Sequence, residues 1–516
     1  MTPLPPKRAG ARTTWRAFGK PWLPPVLVSL VLGLWRLGSP ELWRDELASW
    51  SFATRQAPAI LAGARNTGGT QLAYYLILHY WIAAFGDSVD EMRMLSVVAM
   101  AGAAACVAIL GRQIGGGDRA GLTAGLIFAL IPSISRFAQE VRFYSFEVLA
   151  ATLATILLLR ALERPALRRW AAYGVCVAAL GYIDIVALSL LTAHVVLLGV
   201  RWWRSRDNRL LWFGPAVLAA LAACLPMILL GSAQAESQIF WIPRPGLGAG
   251  TFTFFASNLF YSTPVAIGLV FLAVAGCVWN LRAALPAAAL AILPVASVWL
   301  ISQGPHSYFF PRYLLFTVAA WAILASIAVS RLNVTIAAVA VLGIGILGIS
   351  DQLAIRELGA HNWASYPQGT GGYPDYAGAA QLVARDARLT DGAVYEAGEK
   401  SWLMVDVGLE YYLQQDVRDP ALIPHVLFVA KTAAQADALY SVPCARPAAC
   451  LGDGPRIWVV DYGPAATPYA FLSPPEAALL RSRYRVTMAR TVHGMRIFLL
   501  TERGAAVRSR PGATRS

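Results

Sequence analysis

Four short polar stretches hold the residue types that a group transfer needs. The first is Trp43-Arg44-Asp45-Glu46, with two adjacent carboxylates just past the first apolar run. The second, residues 136 to 145, reads Arg-Phe-Ala-Gln-Glu-Val-Arg-Phe-Tyr-Ser and supplies two cations, the Gln139 amide, the Glu140 carboxylate and the Tyr144 phenol. The third contains Phe240-Trp241-Ile242-Pro243-Arg244, and the fourth runs from His306 to Pro311-Arg312-Tyr313. A carboxylate can take the proton of an attacking hydroxyl, an arginine fork can receive a phosphate leaving group, and aromatic faces can wall in a sugar or a lipid. Each stretch also has a plainer reading. Asp45 and Glu46 would cap a helix beginning near Leu47, and the aromatic stretches would be interfacial anchors with snorkelling arginines. Glu140 and Arg142 fit that reading poorly, because ionisable groups near a membrane are costly, roughly 2.5–3.5 kcal/mol at mid-depth.

The elements that must position these groups are membrane helices. Of 516 residues, 57% are hydrophobic and 14% charged, and the apolar runs approach the roughly 20 residues that span a bilayer. The formal charge of +14 sits in short arginine blocks between those runs, which orients a chain in a membrane and does not suggest nucleic acid as a partner. The basic N-terminus and short run that follow a signal-peptide outline lack a small-residue cleavage site, so residues 22 to 38 read as a retained first span. Further runs fall at about 71–86, 94–112, 119–134, 146–162, 170–184, 186–201, 211–231, 264–281, 284–302, 313–329 and 333–350. If 71–86, with Gln71, Tyr74, Tyr75 and His79, lies along the outer interface, eleven spans remain. The arginine-rich blocks then all face the cytoplasm with the N-terminus. That parity places all four polar stretches, and everything after residue 350, on the outer face of a plasma (inner) membrane.

Residues 1–350 thus read as a multispan domain. Residues 351–503 have the composition of a soluble extracytoplasmic α/β domain, with strands expected at 393–395, 426–429 and 456–460. No Gly-rich phosphate fingerprint follows any of those strands. Residues 504–516 read as a disordered tail. Cys106, Cys176, Cys224 and Cys277 lie singly in apolar runs, whereas Cys444 and Cys450 could pair if they face an oxidising space.

The order Trp43-Arg44-Asp45-Glu46-Leu-Ala-Ser, Gln139-Glu140-Val-Arg142-Phe-Tyr144-Ser and Pro311-Arg312-Tyr313-Leu resembles membrane glycosyltransferases of the GT-C superfamily. It is most like the family 39 group of protein O-mannosyltransferases and aminoarabinose transferases, in outline beyond residue 200. The resemblance implies a polytopic GT-C fold and an inverting transfer of a hexose or pentose from a polyprenyl-phosphate carrier to an envelope acceptor. It implies Asp45 as the base with Glu46 beside it, and Arg142, Tyr144 and Arg312 on the donor phosphate. Gln139, Glu140, Trp241, His306 and Tyr313 are the candidates for substrate contact. Where relatives often carry Pro-Pro-Leu before the interfacial helix, this chain has Thr70-Gln71-Leu72. No cofactor is assigned; a divalent cation held through oxygen by Asp45, Glu46 and Glu140 is the lesser alternative. The contrasting readings are a transporter or lipid flippase, which the absence of an internal repeat disfavours, and a noncatalytic envelope-assembly subunit.

Overall fold

The structure is a computed structural model that describes residues 20–357, 373–395, 402–463 and 466–503. The basic N-terminal residues before Lys20 and the expected tail after Arg503 lie outside the described residues.

The first apolar run folds as α1 (Leu23–Leu34), with prolines in its first turn where their missing amides cost nothing. The polar connection after it is helical almost throughout, as α2 (Arg44–Ala53), α3 (Ala57–Asn66) and α4 (Leu72–Phe85). At 14 residues α4 is about 21 Å long, short of a roughly 30 Å hydrocarbon core. The long α5 (Val89–Gly115) begins at a capping box, in which Ser88 and Glu91 satisfy each other's amides, and ends at Gly116 in the left-handed region.

The run expected at 119–134 is not one helix. It breaks at Ile131-Pro132 into α6 (Asp118–Leu130) and α7 (Pro132–Ala138), bent by 67°. Proline holds the residue before it extended, so the chain turns there and delivers Arg136 to Arg142 inward. Then follow α8 (Tyr144–Glu163), α9 (Leu167–Ile183), α10 (Leu190–Ser205) and α11 (Phe213–Ile239). The helix α11 continues eight residues past the apolar run expected at 211–231. Tertiary bonds anchor this extension through Gln234, which accepts from the Gly69 amide and donates to the Ala64 and Arg65 carbonyls. The set continues with α12 (Ala249–Phe260), α13 (Thr263–Trp279), α14 (Leu281–Ile301), α15 (Val318–Val329), α16 (Val334–Leu347) and α17 (Ile349–Ala354).

Every residue of α15 except Trp321 is buried, against α13, α6 and α14. A 3-10 turn over Pro311–Thr317 leads straight into it, so Arg312 and Tyr313 stand at the entry to a buried helix. Among the described residues six helices are long and apolar enough to cross a membrane, or up to eight if each of two bent pairs counts as one span. The shorter apolar helices α1 and α16 come in addition.

Beyond residue 373 the chain forms α18 (Tyr376–Asp386) and α19 (Val405–Asp416) beside a five-stranded mixed sheet. Its strands are β1 (Gly392–Tyr395), β2 (His425–Val426), β5 (Arg456–Tyr462), β6 (Tyr484–Val492) and β7 (Met495–Glu502), ordered β2-β1-β5-β7-β6. The expected strand at 426–429 is split, because Phe428 takes a φ of +60° and starts a separate ribbon of β3 (Val429–Lys431) and β4 (Val442–Pro443). Cys444 and Cys450 are disulfide-bonded just after that ribbon.

This C-terminal unit rests on α2, α3 and the turn before α5. Tyr412 Oη accepts from the Leu42 amide at 2.9 Å, Tyr411 Oη donates to the Asp87 carbonyl at 3.0 Å, and Trp50 packs edge-on against Tyr411. Arg55 and Asn66 donate to the carbonyls of Ala438 and Asp437, each at 2.8 Å.

Candidate functional site

The adjacent carboxylates of α2 are split by the helix on which they sit. Neighbouring positions on a helix point about 100° apart, so Asp45 and Glu46 face different surroundings. Glu46 turns inward and is fully buried. Its Oε1 accepts from Arg93 Nε and the Val141 amide, both at 2.9 Å, and its Oε2 from Arg93 Nη2 at 2.8 Å and the Trp43 amide at 3.3 Å. Arg93, near the start of α5, also donates to the carbonyls of Leu37 and Pro40. This buried pair therefore clamps three segments together: the connection after α1, the start of α2 and the turn between α7 and α8.

Asp45 turns the other way, into a cavity of about 1510 Å³. Its Oδ2 lies 3.2 Å from Arg312 Nη1 and its Oδ1 3.6 Å from Arg44 Nε. Arg142 Nη1 is 3.4 Å from both the Asp45 carbonyl and Ser49 Oγ. Burial pushes the Asp45 carboxyl up, but Arg312, Arg142 and Arg44 outweigh it and the Glu46 charge, so the group sits below the ordinary aspartate range. It is an ionised, weak base in the free protein.

Among the described residues the cavity's charged lining is four arginines, Arg44, Arg136, Arg142 and Arg312, against two aspartates, Asp45 and Asp184, leaving two positive charges in excess. Trp43 organises the cationic end. Its indole donates to Glu140 Oε1 at 2.9 Å, and its ring lies under the guanidinium groups of Arg136 and Arg312 at 6.0 and 5.6 Å. Trp241, Phe310 and Tyr313 surround Arg312 at 5.2–5.8 Å. Apolar side chains, among them Leu188, Leu191, Leu221 and Ile228, also line the cavity, together with Asp184, Ser189 and Thr192. Trp402 and Tyr440 of the C-terminal unit close the cationic end, with Arg44 4.8 Å above the Trp402 ring.

Of the residues singled out in the sequence, Asp45, Arg142, Arg312, Trp241 and Tyr313 line this cavity together. The others do not reach it. Glu140 is fully buried behind Trp43 and ion-paired to Arg136 at 2.8 Å. Gln139 donates to the carbonyls of Gly33 and Trp35 and so ties off the end of α1. Tyr144 is fully buried between Phe137 and Phe143, and His306 lies half-buried outside the lining. Among the described residues no group of three or more His, Cys, Asp or Glu is gathered as a metal ligand set. The three carboxylates considered for a cation are each engaged by an arginine instead.

Sequence reasoning passed over Arg136, Tyr75, Asp184, Tyr261 and the C-terminal Trp402 and Tyr440. Arg136 stood in the second polar stretch as one of its two cations. Asp184 looked like a turn residue; it is 7% exposed, accepts the Val186 amide with Oδ1 and leaves Oδ2 without a hydrogen-bond partner among the described groups. Thr70 and Gln71, which replace the proline pair of the resembled family, also line the cavity, after Gly68 at a φ of +66°.

No known family's sequence profile matches the chain. Two curated relatives, undecaprenyl phosphate-alpha-4-amino-4-deoxy-L-arabinose arabinosyl transferases of Pseudomonas aeruginosa strains LESB58 and UCBPP-PA14, are 30% and 31% identical over 175 and 172 residues. Those matches cover 31% of this chain, which thus spans about a third of either relative's length. The crystal structure of ArnT from Cupriavidus metallidurans bound to undecaprenyl phosphate matches with a TM-score of 0.58 at 14% identity, over 95% of this chain and 98% of that one. The apo form matches with a TM-score of 0.57 at the same identity, over 94% and 98%. The chain therefore has the fold of those ArnT structures, and over 31% of its length its sequence is similar to the arabinosyl transferases.

Proposed function

We propose that the protein is an inverting glycosyltransferase that moves a sugar from a polyprenyl-phosphate carrier to an envelope acceptor at the outer face of the membrane. The observation that carries this reading is one cavity whose lining combines a cluster of arginines around an ionised aspartate with a larger set of apolar side chains. A lipid phosphate has the same two-part chemistry. The similar ArnT of Cupriavidus metallidurans is bound to undecaprenyl phosphate in its crystal structure, and the similar Pseudomonas aeruginosa proteins are undecaprenyl phosphate-alpha-4-amino-4-deoxy-L-arabinose arabinosyl transferases, which supports the reading.

In this account the acceptor hydroxyl attacks the anomeric carbon, its proton passes to Asp45, and the bond from that carbon to the phosphate oxygen breaks. Arg142 and Arg312 take up the charge left on the phosphate, with Arg136 and Arg44 at its edges. Tyr144, Glu46, Gln139 and Glu140 act as supports rather than contacts. Arg312→Gln is expected to lower kcat about 10²- to 10³-fold, the cost of removing one preorganised charge stabiliser. Turnover of lipid-linked sugar measures it, and a kcat within threefold of the parent protein would exclude Arg312 from that role.

The same geometry ties the base to the donor. A bound phosphate draws on the arginines that hold the Asp45 pKa down, so the carboxylate becomes a stronger base when the donor arrives. The acid limb of kcat, which reports the complex, should therefore lie at higher pH than that of kcat/KM, which reports the free enzyme. Coincident limbs in the two pH profiles would refute this coupling.

For topology we infer eleven spans, a cytoplasmic N-terminus and an extracytoplasmic C-terminal domain. Support comes from the C-terminal unit, which closes the same cavity end that the outer-loop residues line. On that side Cys444 and Cys450 meet an oxidising space. Thiol labelling of denatured, unreduced protein from cells should miss both, and full labelling would place them in a reducing compartment and sink the topology.

A further inference from the structure

A second concavity lies at the opposite ends of the helices that frame the cavity. The helix α8 begins at Tyr144 beside Phe143 of the cavity wall, and α10 carries Leu191 and Thr192 of that wall in its first turn. Twenty residues on, about 30 Å along its axis, α8 ends at Glu163; α10 ends at Ser205. Both of these far ends line an open pocket of about 390 Å³, formed with the turns before α9 and α11.

Five arginines line it, Arg164, Arg168, Arg169, Arg201 and Arg209, against two acids, Glu163 and Asp207, an excess of three positive charges. Three of the five are already fixed. Arg169 Nη1 donates to the Arg164 carbonyl at 2.7 Å, Arg201 Nε to the Leu162 carbonyl at 3.3 Å, and Arg209 forms a two-pronged bond to Asp207. Arg164 and Arg168 have no ion-pair partner among the described residues. Other arginines at inner-face turns do not converge in this way: Arg112 pairs with Asp118 at 2.9 Å, and Arg331 donates to the Trp279 carbonyl at 2.8 Å. Orientation in a membrane requires arginines on one side, but it does not require five around one concavity.

The pocket's depth in the membrane follows from its flanks. Leu167, Trp203, Leu211 and Trp212 beside it are each about half to two-thirds exposed. On a membrane-spanning chain such a rim of tryptophan and leucine sits at the level of lipid headgroups. We propose that this pocket binds the headgroup of an anionic phospholipid in the leaflet opposite the Asp45 cavity, preferring a lipid with two phosphodiesters to one with a single phosphate. Guanidinium forks match phosphate oxygens two at a time, and three uncompensated charges exceed what one phosphodiester neutralises. This proposal rests on the membrane-spanning fold and not on the role given to Asp45.

The test uses purified full-length protein in detergent with four probes: cardiolipin, phosphatidylglycerol, phosphatidylcholine and inorganic phosphate at matched phosphorus. Native mass spectrometry and thermal unfolding report binding. Cardiolipin should be retained as an adduct and raise Tm most, phosphatidylglycerol less, and the other two should do neither. The double variant Arg164→Gln, Arg168→Gln removes two of the cations that have no ion-pair partner and should weaken cardiolipin retention roughly thirtyfold, at about one kcal/mol of attraction per arginine. Its Tm without lipid and its sugar turnover should stay unchanged, which separates this outcome from misfolding and from the Asp45 account. Equal retention of phosphatidylcholine, an equal response to inorganic phosphate, or undiminished cardiolipin binding by the double variant would each overturn the proposal.

Discussion

Asp45→Asn is expected to cut sugar transfer about 10²- to 10⁴-fold, the usual contribution of a positioned general base, while the protein remains inserted and folded. Asparagine keeps the side-chain shape but cannot accept a proton at neutral pH. The competing view is that Asp45 only suits the helix dipole, being in the first turn of α2. Charge there is worth about 0.3–1 kcal/mol, so its loss would leave activity per folded molecule almost intact. Turnover at matched amounts of folded protein separates the two views. Near-parental turnover would remove Asp45 from the chemistry.

Glu46→Ala should have the opposite signature. It strands the fully buried Arg93 guanidinium without its carboxylate, and breaking a buried pair from one side costs about 3–5 kcal/mol. The amides of Val141 and Trp43 lose their acceptor at the same time. Lower yield and a lower Tm are expected, with lost activity that tracks lost fold. Glu46→Gln keeps an accepting oxygen for one of those amides and should be milder. A Glu46→Ala protein with parental Tm and no turnover would instead assign the neighbouring carboxylate a direct part in catalysis.

These contrasting expectations show where sequence reasoning succeeds and where it stops. The membrane helices were legible because their signal is local: an apolar run of given length needs no partner to be recognised. Asp45, Arg142 and Arg312 were legible because each is a costly group at a turn beside an apolar run. The division between Asp45 and Glu46 was not, since it depends on Arg93, 47 residues away, reaching one carboxylate and leaving the other. Arg136 and Arg142 looked alike in one stretch, yet Arg136 is ion-paired to Glu140 while Arg142 faces the backbone of α2. The helical extension of α11 beyond residue 231 was not legible because Gln234 is satisfied by contacts with residues 64 to 69. Trp402 and Tyr440 were invisible for the same reason: only the docking of the C-terminal unit brings them over Arg44.

The account stands or falls on whether this cavity releases a lipid phosphate. Purified protein offered a membrane extract that contains polyprenyl-phosphate sugars and acceptors should liberate free polyprenyl phosphate with time, and the Asp45→Asn protein should release almost none. Absence of release by the parent protein across such extracts, or equal release by Asp45→Asn, would contradict it.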